Sequence, residues 1–69
     1  MEFTVFRGDY PNFIEEVVLE FEAPGLYEAL LRLEEEEYSV KYICSMNLDG
    51  YTYVDFGEWD YFLNYKQVQ

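Results

Sequence analysis

The sequence predicts an α+β fold: a small antiparallel sheet of four to five strands with one helix packed on one face. Three observations predict it. Residues 26–37 place apolar side chains on a 3.6-residue period, and the segments around them alternate on a two-residue period. Clusters of Gly, Pro, Asn and Asp separate these segments at short intervals. With 69 residues the chain reads as a single domain, 1–69. The predicted order is ββαββ, with the C-terminal stretch 59–66 as a candidate fifth strand.

Residues 2–6, Glu-Phe-Thr-Val-Phe, are rich in aromatic and β-branched side chains and form the first strand. Residues 7–12 combine Gly, Asp, Pro and Asn, which is turn chemistry. The Arg-Gly-Asp triplet inside them is read as part of that loop, because no secretory signal precedes it. Residues 13–23 form the second strand, with Val17, Leu19 and Phe21 on one face. A helix would also fit Ile14, Val17, Val18 and Phe21; the β-branched and aromatic content favours the strand.

Ala23-Pro24-Gly25 stops that strand and starts the helix, with Gly25 as N-cap. Leu26, Ala29, Leu30 and Leu33 make the apolar stripe. Glu28 lies in the first turn, where the helix dipole favours a carboxylate. Glu34, Glu35, Glu36 and Glu37 lie at the opposite end, where the dipole disfavours one. A sequence tuned only for stability would carry Lys or Arg there.

Residues 38–46 form the third strand, with Val40, Tyr42, Cys44 and Met46 on one face. The following Asn-Leu-Asp-Gly predicts a three-residue loop with a bulge at Gly50. That loop pairs Met46 with Thr52, Cys44 with Val54 and Tyr42 with Phe56, aligning the apolar faces. A two-residue loop would instead pair Cys44 with Asp55. Residues 51–56 are the fourth strand, and Gly57-Glu58 interrupts it. In residues 59–66, Trp59, Tyr61, Leu63 and Tyr65 alternate as a strand, while Trp59, Phe62, Leu63 and Lys66 fit a helical face; aromatic content favours the strand. Residues 67–69 are expected to fray.

Composition narrows the function. Fifteen acidic residues face four basic ones, for a formal net charge of −11. That sign disfavours direct contact with nucleic acid or an anionic membrane and suits a basic partner. An apolar fraction of 51% and an aromatic fraction of 22% argue against disorder. A chain this short buries only about 60% of its unfolded surface, and one cysteine and no histidine leave it without a disulfide or an ordinary zinc site. Its aromatic rings, or self-association, are the expected compensation. With no apolar leader or membrane-length run, a cytoplasmic location is expected.

No catalytic constellation emerges, and no enzyme, cofactor or metal site is expected. Cys44 has no histidine partner and reads as a small buried hydrophobe. Successive glutamates on a helix point about 100° apart and do not converge on one ion. Residues 49–50 lack the spaced carboxylates of an EF-hand loop. Surface recognition remains. If the helix covers the face carrying Val17, Leu19, Phe21, Val40, Tyr42, Cys44, Thr52, Val54 and Phe56, the opposite face presents Glu16, Glu20, Glu22, Tyr51, Tyr53 and Asp55. Glu58, Trp59, Asp60 and the Glu34, Glu35, Glu36, Glu37 run extend it. Such a face is what any one-helix sheet shows to water, yet tyrosines among acids fit an interface better.

In size, net charge, its mixture of acids and tyrosines and its lack of catalytic residues, the chain resembles the small acidic inhibitors that phages use against bacterial defence. Anti-CRISPR and anti-restriction proteins are among them. The resemblance covers overall character, and no motif carries it. It implies a non-enzymatic inhibitor, acting in the host bacterial cytoplasm, whose carboxylates occupy the basic nucleic-acid-binding surface of a partner, as a DNA mimic does. The alternatives are an assembly module that homodimerises through an edge strand or aromatic patch, and an acidic regulatory subunit of a basic host protein. Monomer and homodimer both remain open.

Overall fold

The computed structural model describes residues 1–8 and 16–66. The elements are β1 (Glu2–Arg7), β2 (Glu16–Glu22), α1 (Leu26–Glu35), β3 (Cys44–Leu48), β4 (Tyr51–Asp55) and β5 (Tyr61–Lys66). All five strands join one antiparallel sheet in the order β2-β1-β5-β4-β3. The α+β class is as expected, and the candidate fifth strand is present at the centre of the sheet. The expected loop in 9–12, the start of the second strand at 13–15 and the tail 67–69 lie outside the described residues.

The helix forms where its period predicts, and Gly25 is its N-cap with extended backbone. Ala29, Leu30 and Leu33 are buried, and Leu26 packs at the margin of the same core. They cover a sheet face made of Phe3 and Val5 from β1, Phe21 from β2, Val54 from β4 and Leu63 from β5, closed by Phe56. Phe3 stacks on Phe21 with centroids 5.7 Å apart and meets Tyr65 at 5.1 Å. The rings supply the buried area that so short a chain otherwise lacks.

The helix ends two residues earlier than its sequence period suggests. The amide of Glu37 donates to the carbonyl of Glu34 and that of Tyr38 to Leu33, both at 3.0 Å. Those two bonds define a Schellman motif, with Glu37 in the left-handed position (φ 69°) where glycine is usual.

Two registers differ from expectation. Between β1 and β2 the pairing steps from Val5–Leu19 to Phe6–Val17, leaving Val18 as an extra residue. This bulge moves Val17 off the covered row, and Val17 is 56% exposed. Between β3 and β4 the loop is the two-residue Asp49-Gly50, so Leu48 pairs with Tyr51, Met46 with Tyr53 and Cys44 with Asp55. Both loop residues have positive φ (52° and 83°), the signature of a type I′ turn, whose twist matches that of the strands it joins. Turn geometry thus overrides the alignment of apolar faces.

The third strand is correspondingly shorter and later than expected. Residues 38–43 cross the end of the sheet instead, and the amides of Lys41 and Tyr42 both donate to the Phe56 carbonyl, at 2.9 and 3.4 Å. Tyr42 is exposed on this crossing, and Cys44, expected to be buried, is exposed on the edge strand. Val40 remains packed against the core, and Thr52, Val54 and Phe56 are buried as expected. No helix among the described residues is long and apolar enough to cross a membrane.

Candidate recognition surface

The face of the sheet away from the helix is built from alternate residues of all five strands. Glu22 and Glu20 on β2 stand opposite Glu2 and Thr4. Phe6 pairs with Phe62, Thr4 and Tyr53 each with Asn64, and Tyr51 with Lys66. Cys44, Met46 and Leu48 complete the face along the β3 edge. Its centre is aromatic: Phe6 stacks on Phe62 at 5.6 Å, and Tyr53 meets Phe6 edge-on at 6.1 Å. Tyr51 lies 6.5 Å from Tyr53.

Of the residues expected on this face, Glu20, Glu22, Tyr51, Tyr53 and Asp55 are on it. Glu16 is not. The bulge pairs it with Arg7, where the two side chains form an ion pair at 3.8 Å in the row continuing from Val5. Glu34 and Glu35 belong to the last turn of the helix, on the other side of the sheet. Glu36 caps that helix and accepts from Nε of Arg32 at 3.1 Å, while the Arg32 guanidinium also lies 5.3 Å from the Phe21 ring centroid.

At one end of the molecule, β4 leads into the turn that starts β5, and a cleft of about 330 Å³ opens there. Tyr42, Trp59 and Phe62 supply its aromatic walls, and Asp55, Glu58 and Asp60 its carboxylates. Trp59 is 83% exposed. Asp55 organises the site: one oxygen accepts from the Gly57 amide at 3.0 Å, the other from the Tyr42 hydroxyl at 3.2 Å. Glu58 accepts from the Ser39 amide at 2.7 Å. Asp60 has φ 64°, and its carbonyl receives the Gly8 amide at 3.0 Å.

The hydrogen bond to Asp55, reinforced by its charge, raises the pKa of Tyr42 above the ordinary tyrosine value. Tyr38 is raised as well, first by burial, then by Tyr61, Glu36 and Glu58. Because the Tyr38 amide closes the helix C-terminus on Leu33 and the next amide, of Ser39, donates to Glu58, the helix C-terminus and the cleft belong to one end of the molecule. Glu20 and Glu22 sit toward the opposite end of the strands, so the acids form two groups rather than one continuous field.

Sequence reasoning missed Tyr42 as a cleft residue and Met46 and Leu48 as outer-face residues. The Asp49-Gly50 dipeptide was the available signal, because its turn preference fixes which side chains of β3 face outward. Among the described residues, no three His, Cys, Asp or Glu side chains gather as metal ligands would. No family model, curated protein or solved structure matches the chain.

Proposed function

We propose that this protein is a non-enzymatic binding protein that docks on the basic surface of a nucleic-acid-binding partner and competes there with nucleic acid. The observation that carries the reading is Trp59. In a chain short of buried area, the largest ring is left in solvent beside Tyr42, Asp55, Glu58 and Asp60. Aromatic faces beside carboxylates suit a guanidinium or ammonium group, which gains cation–π and charge-assisted contacts together.

The charge distribution supports the same partner class. The glutamates at the helix C-terminus occupy positions where the dipole and the left-handed backbone of Glu37 both favour other residues. Their retention fits a use outside the fold. Carboxylates spread over a surface, rather than gathered on an ion, can stand in for phosphates along a basic groove. In this reading the protein acts as the anti-CRISPR and anti-restriction inhibitors it resembles do, with Trp59 as the anchor and the acids steering association.

The test is capture from bacterial lysate on the immobilised protein at low and moderate salt, with and without saturating duplex DNA. A nucleic-acid-binding protein that DNA displaces, and that the Trp59→Ala variant fails to retain, is the expected result. A partner held equally well under saturating duplex would overturn competition with nucleic acid.

A further inference from the structure

The two edges of the sheet are guarded differently. β2 carries Glu16, Glu20 and Glu22 and the bulge at Val18, devices that keep an edge from pairing with another chain. β3, Cys44-Ser45-Met46-Asn47-Leu48, has no charged residue, no proline and no bulge. It is the one described strand without a charge, in a chain of net charge −11. All five of its residues are exposed; Met46 is 61% and Leu48 52% exposed. At the β2 edge a second copy would meet like charge. At β3 it meets none.

We propose that β3 pairs antiparallel with β3 of a second copy, about a two-fold axis at Met46, to make a continuous ten-stranded sheet. The register follows from the hairpin. A two-residue loop makes Leu48–Tyr51 the hydrogen-bonded pair that closes it. By alternation, Met46 and Cys44 also direct their backbone groups toward β4, so those of Ser45 and Asn47 face the open edge. A two-fold axis at Met46 sets Ser45 opposite Asn47 of the second copy, and Asn47 opposite its Ser45. These are the residues with free groups, and each pair exchanges two backbone hydrogen bonds.

The side chains agree with that register. Met46 meets Met46 of the second copy, and Cys44 meets its Leu48, so apolar faces apolar on the outer side. Ser45 and Asn47 share the helix side. The two outer faces then join, flanking the seam with Tyr51 and Tyr53 of each copy. Association through this edge is opposed by repulsion between two acidic bodies, which salt screens. Salt therefore strengthens it, whereas salt weakens docking on a basic partner, and the two readings separate on that sign.

The experiment is sedimentation of the full chain across protein concentration at low and molar salt, with three variants. Wild type should dimerise, more so at high salt. Ser45→Pro removes an outward amide that the hairpin ladder does not use; it should keep the wild-type unfolding midpoint at low concentration and raise the dimer dissociation constant more than ~10-fold. In a Cys44→Ser background, Met46→Cys should oxidise to a cross-linked dimer. Facing Cα atoms in a non-hydrogen-bonded pair are about 4.5 Å apart, within disulfide reach. Leu48→Cys in the same background should not cross-link, because the two sites lie roughly 13 Å apart along the strands. A wild-type monomer at every salt concentration, or cross-linking at position 48 equal to that at 46, would overturn the proposal.

Discussion

A side-chain carbon added to Gly57 would lie 2.8 Å from Cβ of Lys41, closer than carbon atoms approach without displacement. Gly57 also has φ +96°, a backbone region that other residues enter at a cost of about 1–3 kcal/mol. The chain crossing from helix to edge strand therefore passes directly over a glycine that the sheet end requires. Gly57→Ala should destabilise the fold by at least roughly that amount, read as a lower urea midpoint with unchanged slope.

The helix is held to the sheet by few side chains, and Leu33 is fully buried among them. Leu33→Ala should cost about 2–5 kcal/mol. For a domain of this size that is a large share of the total, and circular dichroism at room temperature should show a substantially unfolded population.

Glu37 offers the opposite outcome. The left-handed conformation costs a non-glycine residue roughly 1–2 kcal/mol, and its carboxylate opposes the helix dipole. Glu37→Gly should raise the unfolding midpoint. If the glutamate run steers association, Glu37→Gly should also slow binding to the basic partner at low salt, so stability and association rate move in opposite senses.

The raised pKa values of Tyr38 and Tyr42 fix a direction with pH. A group whose pKa is higher in the folded state favours folding while it is protonated. Its contribution is complete below the unfolded value of 10.0 and is lost as pH rises through the folded value. Stability should therefore fall above pH 10. In a spectrophotometric tyrosine titration, Tyr38→Phe and Tyr42→Phe should each remove a late-titrating component. Loss of an ordinarily titrating component in Tyr42→Phe, with the late ones intact, would mean that the Asp55 hydrogen bond does not hold the hydroxyl in solution.

The helix and its buried stripe were legible in the sequence because a 3.6-residue period over Leu26, Ala29, Leu30 and Leu33 has one interpretation. The strand character of β1 and β5 was legible in their aromatic and β-branched content, since the period of β5 fits a helical face as well. Register was not. Pairing Cys44 with Val54 satisfies the hydrophobic pattern, while pairing it with Asp55 satisfies the turn, and a one-residue slip exchanges every side chain between faces. The preference of Asp49-Gly50 for a tight turn prevailed, and the apolar residues of β3 were left exposed. The bulge at Val18 was invisible for a similar reason, since Val17 and Val18 suit either face. The cleft around Trp59 depends on how residues 38–43 cross the sheet end, a path that no local pattern encodes.

The position of β5 has a consequence for how the molecule comes into being. It bonds to β1 on one side and β4 on the other, yet it follows both in the chain. Until the ribosome has released residues 61–66, the β1–β2 pair with its helix and the β3–β4 hairpin share no strand to join them. Folding must then proceed by insertion of a late segment between two waiting halves. A nascent chain stalled before Tyr61 should accordingly remain protease-sensitive throughout, and acquire resistance in one step once that segment emerges.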